Sequence, residues 1–406
     1  MASKNKPIID FSFAYHPLEE TLEYEYKKKA VFIGIPNDYT FNENRIALTP
    51  QAVATIVQNG NKVIVERNAG MASFYTDKDY SDAGAEISDN KNEIYKADII
   101  LKTAPIFKEE ISLLRENQII FSTVHTPILT KEYLQSCLDK KIIAIALGSI
   151  KDDIGHFPVV RSMSQIAGTN AIQIASHYLS NNQNGKGVLL GGIDGVPPAT
   201  VVIIGAGMVG EYATRAALGC GAQVKVFDNS IYRLMRLQRT VGQTVFTSVI
   251  DPILLEKVLK NADVAIGALK PNKGIVPMVV TEAMVTKMKK GAVIIDVSID
   301  NGGCFETSEI TTHKKPTFLK HDIIHYCVPN IASGVSRTAS KAISNILMPI
   351  VLSISETSGD GKNFLADKPG LAAATYIYKG KMTNKALSQK FGFKYTDLNL
   401  ILSSNF

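Results

Sequence analysis

Thr200-Val201-Val202-Ile203-Ile204-Gly205-Ala206-Gly207-Met208-Val209-Gly210 is the stretch that decides the fold. A strand-like β-branched run leads directly into G-x-G-x-x-G, and a helical stretch, Met208–Leu218, opens within it. Gly205 permits the tight turn, Gly207 lets backbone N–H groups approach a pyrophosphate, and Gly210 lets the helix lie close to the strand. The helix N-terminus adds positive partial charge. Asp228 stands 18 residues after Gly210, at the end of the next strand-like run. A carboxylate there accepts both hydroxyls of an adenosine ribose and repels a 2′-phosphate, so NAD is the expected cofactor. Arg233, five residues further on, either stacks near the adenine or is a solvated helix charge. A glycine turn without a ligand is the plainer reading. The strand, helix and acid together weigh against it.

Six strand-like runs surround this loop: Thr200–Gly205, Gln223–Asp228, Thr244–Ser248, Val264–Leu269, Ala292–Ser298 and Ile323–Val328. With helical segments such as Asp251–Lys260 between most of them, they complete a dinucleotide-binding unit. Upstream, Val31–Ile35, Lys62–Glu66, Ala97–Lys102, Ile119–Thr123 and Ile142–Leu147 alternate with helices at Pro50–Asn59 and Thr130–Lys140, which implies a second set of βαβ units. Val160–Leu179 reads as a connecting helix, stopped by Asn181–Gly185 with the glycine as left-handed cap. The glycine cluster from Gly187 to Pro198 lacks a helix start at the right offset and reads as a connector. Thr338–Ser353 reads as a helix crossing back to the first unit, followed by a polar tail.

The expected fold is α/β, with two Rossmann-like doubly wound parallel-sheet domains joined by long helices and an active site in the interdomain cleft. Residues 1–29 are an expected N-terminal extension with a short helix around Leu18–Tyr26. Residues 30–157 plus 335–406 form a discontinuous substrate domain, and 158–334 the NAD-binding domain.

Composition narrows the function. The 406 residues are 45% apolar and 20% charged, with a net charge of +6 from 44 basic and 38 acidic side chains. That is an ordinary globular balance, and the longest basic block is Lys27-Lys28-Lys29, so neither nucleic acid nor a membrane surface is an expected partner. The four cysteines (Cys137, Cys220, Cys304, Cys327) form no C-x-x-C pair, which suits a reducing cytoplasm and argues against a thiolate metal site. His313, His321 and His325 show no metal spacing, and Cys327 is an expected inert core thiol. No secretory signal and no apolar run of about 18 residues is present.

Three polar residues stand where strands end. Asp300 follows the fifth strand of the nucleotide unit, beside Gly302-Gly303, at the carboxyl edge where ligands bind in open α/β sheets. His125 follows Ile119–Val124, where an imidazole can donate or accept a proton near neutral pH. Arg45 precedes a helix opened by Thr49-Pro50, and its guanidinium can grip a carboxylate through two parallel hydrogen bonds. Plainer readings stand beside these: a turn-forming Asp, a polar surface His, an exposed Arg salt bridge. Asp296, within the strand, reads as a structural acid.

These residues sit in a larger pattern. Glu43-Asn44-Arg45-Ile46-Ala47-Leu48-Thr49-Pro50, Met163–Gly168, Gly187–Gly192, Gly205–Gly210, Asp296–Glu306 and Tyr326-Cys327-Val328-Pro329-Asn330 are distinctive stretches. Through them the chain resembles the alanine dehydrogenase and pyridine nucleotide transhydrogenase alpha-subunit family, and is closest to alanine dehydrogenase. The resemblance implies that Arg45 fixes a substrate carboxylate, His125 serves the carbonyl oxygen, and Asp300 orients ammonia or the attacking water. It implies NAD contacts by Ser164, Met208, Val209, Asp228, Arg233, Ala268, Leu269, Val297, Ser298, Val328 and Asn330, and a homo-oligomer, hexamer or dimer. One position departs. Family dehydrogenases typically carry Lys-x-Lys-Glu-Pro where this chain reads Leu101-Lys102-Thr103-Ala104-Pro105. Lys102 matches the first lysine and is the candidate for the carboxylate in place of the missing second. Transhydrogenase subunits also lack that lysine, but generally lack a His at the position of His125. The loop Ala332–Arg337 also carries less proline than is usual. The implied activity is NAD-dependent interconversion of L-alanine with pyruvate and ammonium. The alternatives are a transhydrogenase-type NAD(H)-binding subunit and a non-enzymatic NAD-binding relative.

Overall fold

A computed structural model of the chain describes residues 30–38, 43–124, 129–270, 276–357 and 361–403. The expected short helix around Leu18–Tyr26, and His125, lie outside the described residues. The first sheet contains β1 (Phe32–Ile35), β2 (Lys62–Glu66), β3 (Glu86–Ser88), β4 (Ile99–Leu101), β5 (Ile119–Ser122) and β6 (Ile143–Ala146). The second contains β7 (Thr200–Ile204), β8 (Gln223–Phe227), β9 (Phe246–Ser248), β10 (Val264–Gly267), β11 (Val293–Asp296), β12 (Thr317–Lys320) and β13 (Ile323–Tyr326). A late hairpin, β14 (Thr375–Tyr378) and β15 (Lys381–Met382), extends the first sheet beyond β6.

Both sheets share one winding. The first runs β3-β2-β1-β4-β5-β6 and the second β9-β8-β7-β10-β11-β13, and all these neighbours are parallel. The direction of winding reverses between β1 and β4 in one sheet, and between β7 and β10 in the other. At such a switch point the flanking loops part and leave a crevice beyond the carboxyl ends. The central strands are buried and, Asp296 apart, apolar, as strands covered on both faces must be. Ile99–Leu101, Ile143–Ala146 and Val293–Asp296 are buried end to end.

Five helices position the site. Helix α1 (Pro50–Gln58) starts at Thr49, whose hydroxyl accepts from the Ala52 N–H, with proline at the first position as expected. Helix α2 (Pro158–Leu179) joins the two sheets and crosses α3 (Met208–Gly219) at Gly168, where a Cβ would fall 2.3 Å from the Val209 carbonyl oxygen. Together with α4 (Ile231–Val241), α3 flanks the glycine loop. Helix α5 (Ser336–Glu356) returns to the first sheet and buries Ile343, Leu347, Val351 and Ile354 in its core. Among the described residues Ile331–Glu356 alone is long and apolar enough to span a membrane, and its apolar face packs on the first sheet.

Some details differ from the sequence reading. β3 is three residues long, and β12 is a half-exposed antiparallel edge strand, so neither carries an apolar run. The tail is built of short helices around a hairpin rather than merely polar: Lys379 and Gly380 both have positive φ, forming the two-residue turn that suits antiparallel strands, and β14, paired with β6, buries all four of its residues. After α2 the left-handed residue is Asn184, at φ 61°, not Gly185. Gly185 answers a different demand, since a Cβ there would meet the Tyr178 carbonyl oxygen at 2.1 Å.

Candidate active site

The nucleotide cradle follows from close backbone approach. Gly205 sits at φ 115°, where a Cβ would lie 2.4 Å from the Ala268 carbonyl oxygen, and a Cβ on Gly210 would lie 1.8 Å from the Gly205 oxygen. Neither position tolerates a side chain. A Cβ on Gly207, by contrast, would meet nothing within 4 Å, so the middle glycine faces open space at the start of α3. That opening, lined by N–H groups, fits a pyrophosphate. Met208 and Val209 are the first residues of α3, and Ser164 lies one turn before the Gly168 crossing on α2.

Asp228, 3% exposed, directly follows β8 and closes the cradle. Its Oδ2 accepts from the Ala206 N–H at 2.8 Å and its Oδ1 from the Ser230 N–H at 2.7 Å. Arg233, in the first turn of α4, places Nη1 3.6 Å from Oδ2, so the arginine left open in sequence is an ion-pair partner of this acid. Ala268 and Leu269 follow β10, Val297 and Ser298 follow β11, and Val328 and Asn330 follow β13. Ser298 ties two of these ends together: its Oγ accepts from the Leu269 N–H at 3.0 Å and donates to the Leu269 oxygen at 3.2 Å. Asp296 is the structural acid expected. Its carboxylate accepts from the Ser298 and Cys304 N–H groups and from Ser308 Oγ, while burial pushes its pKa up. Burial likewise pushes the Cys327 thiol up to about 11, the behaviour of a core thiol.

Arg45 stands beyond the end of β1, and its salt bridge is buried rather than exposed. Its Nε donates to Glu43 Oε1 at 2.7 Å, its Nη2 to Glu43 Oε2, and its Nη1 lies 3.2 Å from Met163 Sδ. Burial alone would lower the Arg45 pKa, but Glu43, then Asp300 and Asp38, reverse this and the net shift is upward. The guanidinium stays charged. Asp300 is exposed, and its Oδ1 accepts from the Asn330 N–H at 3.0 Å. Asn330 adopts φ 57° and turns its side-chain Nδ2 to Glu43 Oε2 at 3.2 Å. The loops after β1, β11 and β13 thus meet in one run, Arg45–Glu43–Asn330–Asp300.

Lys102, just past β4, is elsewhere engaged. Its side chain has no exposure, and Nζ donates to Asp38 Oδ1 at 2.6 Å and Glu110 Oε1 at 2.9 Å. Asp38 Oδ2 also accepts from the N–H groups of Thr103 and Ala104, and the Thr103 hydroxyl lies 3.1 Å from the Arg45 carbonyl oxygen. In this arrangement Lys102 supports the floor beneath Arg45 instead of offering its ammonium to a ligand.

Comparison with known proteins follows the same lines. Residues 34–167 match the description "Alanine dehydrogenase/PNT, N-terminal domain", and residues 171–385 match "Alanine dehydrogenase/PNT, C-terminal domain". The chain belongs to the alanine dehydrogenase/PNT family. "Alanine dehydrogenase 2" of Staphylococcus aureus, in strains USA300 and N315, is 37% identical over 365 residues, 89% of this chain and 97% of that protein. A solved L-alanine dehydrogenase matches with a TM-score of 0.82 and 32% identity, covering 89% of this chain and 99% of that one. A transhydrogenase from Sinorhizobium meliloti shares the fold, with a TM-score of 0.73 and 21% identity over 87% of this chain and 99% of its own.

Several supporting residues of this family member escaped the sequence reading. Glu43 carries a local signal, since an acid two residues before a candidate Arg is a pairing partner within reach. Asp38 and Glu110 pair with Lys102 across 64 and 8 positions, a separation no local pattern reveals. Ser340 and Ser344 on α5 accept from the N–H groups of Ile46 and Thr49, holding the Arg45 loop from a helix some 290 residues away. His313, considered only as a metal ligand, packs near Asn330. Burial, the largest influence, lowers its pKa against the opposing effects of Asn330 and Glu43.

Proposed function

We propose that the chain is an NAD-dependent alanine dehydrogenase that interconverts L-alanine with pyruvate and ammonium. The observation that carries this reading is the convergence of Arg45, Glu43, Asn330 and Asp300 beside the glycine cradle. When bound, NAD accepts a hydride from the substrate Cα and NADH returns it. In the oxidative direction, Arg45 holds the substrate carboxylate, leaving Cα toward the loops after β10 and β11. Asp300 orients the water that attacks the imine carbon, accepts one of its protons as the carbinolamine forms and returns it to the nitrogen; as the C–N bond breaks the hydroxyl proton passes to the departing ammonia, leaving pyruvate and ammonium. His125, by the family resemblance, hydrogen-bonds the forming carbonyl oxygen. The chain's own task is to keep these groups in near-attack geometry and to exclude bulk water.

The division into 30–157 with 335–406, and 158–334, belongs to the same proposal. The pairing of β14 with β6 and the burial of α5 on the first sheet support it. A cytoplasmic location is supported by the widely spaced, unpaired cysteines, and a homo-oligomer by the family resemblance alone.

The test is NADH oxidation by purified protein with pyruvate and ammonium, run beside glyoxylate and 2-oxobutyrate. Turnover fastest with pyruvate supports alanine. The absence of the second lysine favours one rival, a transhydrogenase-type subunit, which would bind NADH tightly, turn over no 2-oxo acid and pass hydride to an NADP-carrying partner.

A further inference from the structure

We propose that Glu43 is a positioning residue that decides which edge of Arg45 meets the substrate carboxylate and ties that grip to Asn330 and Asp300. This rests on the reading of Arg45 as the carboxylate anchor. A guanidinium offers two edges on which paired N–H groups match a carboxylate: the side edge, Nε with Nη2, and the end edge, Nη1 with Nη2. Glu43 fills the side edge with both of its oxygens. Among the described residues the hydrogen-bond partner of Nη1 is a thioether, Met163 Sδ at 3.2 Å, which is a weak acceptor. A carboxylate arriving at Arg45 therefore takes the end edge and displaces the sulfur, and the side edge is closed to it.

The other half of the Glu43 carboxylate faces the second sheet. Asn330 Nδ2 donates to Oε2 at 3.2 Å and Ser333 Oγ to Oε1 at 3.4 Å, while the Arg45 backbone N–H donates to Oε1 at 2.9 Å. Ser333 Oγ in turn accepts from the Asn44 N–H at 2.7 Å. Glu43 follows β1, and Asn330 follows β13, so one carboxylate joins the carboxyl edges of both sheets. The Asn330 N–H continues the run to Asp300. A buried carboxylate, with 3% side-chain exposure, is tolerated only because donors surround it. Glutamine has the same size, but its amide NH2 would face a donor wherever it points. One of the two connections is then lost and the guanidinium is free to turn.

The experiment compares wild type, Glu43→Gln, Glu43→Asp, Arg45→Lys and the Glu43→Gln/Arg45→Lys pair in the pyruvate–ammonium assay, with NADH and pyruvate affinities by calorimetry. Glu43→Gln should raise the pyruvate KM and lower kcat, each by about tenfold or more, the scale of a misplaced reacting group. NADH affinity should change far less, by about threefold at most, since Glu43 reaches the nucleotide site only through Asn330 while the pyrophosphate rests on the Gly205–Gly210 loop. Glu43→Asp, which keeps two acceptor oxygens, should recover part of the loss. In the Arg45→Lys background Glu43→Gln should add less than about twofold, because residues acting through one another are not additive. Effects that multiply, or that fall equally on NADH, would overturn the proposal and mark Glu43 as a general structural residue. If Glu43→Gln does not fold, Glu43→Asp and its pair with Arg45→Lys carry the same comparison. If wild type binds pyruvate without turning it over, the dehydrogenase reading fails and pyruvate affinity in the same variants still decides Glu43. If wild type binds no pyruvate, the Glu43 proposal falls too.

Discussion

Replacing Lys102 with methionine separates two roles that the sequence leaves joined. The methionine preserves length and apolar volume but removes the charge. The ammonium is fully buried between Asp38 and Glu110, whose side chains are each 5% exposed, and it lies 5.3 Å from the Phe107 ring centroid. Deleting one partner of a buried ion pair costs about 3–5 kcal/mol, because the remaining charge keeps its desolvation penalty. Here two carboxylates are left behind, so the upper part of that range applies. For domains of this size about 1 kcal/mol moves Tm by roughly 2–4 °C, which gives a fall of about 8–20 °C. Burial lowers the Lys102 pKa, but Asp38 and then Glu110 reverse this and hold it above its ordinary 10.5. A raised folded-state pKa means that the stabilisation is fully present below 10.5 and is lost as pH rises through the folded value. The wild type should therefore lose stability in strong alkali, and the difference from Lys102→Met should narrow there. Thermal melts at several pH values, with NADH and pyruvate affinities, provide the measurement. A Tm within about 2 °C of wild type, with pyruvate binding alone abolished, would refute this reasoning and assign Lys102 to the substrate.

Arg45→Lys keeps the charge but loses the paired geometry, and should weaken pyruvate by about 1–3 kcal/mol, with little change for NADH, in steady-state kinetics. Asp228→Ser should weaken NAD binding and narrow its preference over NADP, read by calorimetry, since Arg233 would then face a 2′-phosphate without its ion-pair acid. The loss for NAD should exceed that of a missing ribose contact alone, because Asp228 also holds the Ala206 N–H of the glycine loop. Asp300→Asn and His125→Ala should each reduce turnover by about 10²-fold or more while leaving NADH affinity nearly intact, and the wild-type pH profile should inflect between about pH 6 and 9.

The legible parts of this chain are those encoded locally. β7, the glycine loop, α3 and Asp228 fall within 29 consecutive residues, and both their order and spacing follow from backbone demands that only glycine or a β-branched run can meet. The cap at Thr49-Pro50 is equally local. What the sequence conceals is pairing at a distance. Whether Arg45 ends in solvent or on an acid depends on the chain bringing Asn330 and Ser333 to Glu43. Whether Lys102 reaches a ligand depends on Asp38 and Glu110 converging over β4. The tail hairpin was missed for a related reason. A four-residue buried strand reads as polar context when lysine and glycine surround it, until β6 supplies its partner edge.

The shared winding of the two sheets explains why the site needs so few residues from each. Each sheet opens one crevice, between β1 and β4 or between β7 and β10, and the loops beyond those strands carry Arg45 and Lys102 on one side and Gly205 and Leu269 on the other. In the proposed reaction a nucleotide cradle alone would leave the reacting carbon unanchored, and an arginine alone would leave it without an electron acceptor. Joining them requires a fixed contact between carboxyl edges, which the Glu43 carboxylate and the Asn330 amide provide directly. Helix α5 reinforces it, since the same helix that leaves the Ile331–Val335 turn packs its serine hydroxyls against the backbone of the Arg45 loop. The end of β13 is therefore joined to Arg45 through one short hydrogen-bonded turn and through α5, while Met163 on α2 touches the same guanidinium.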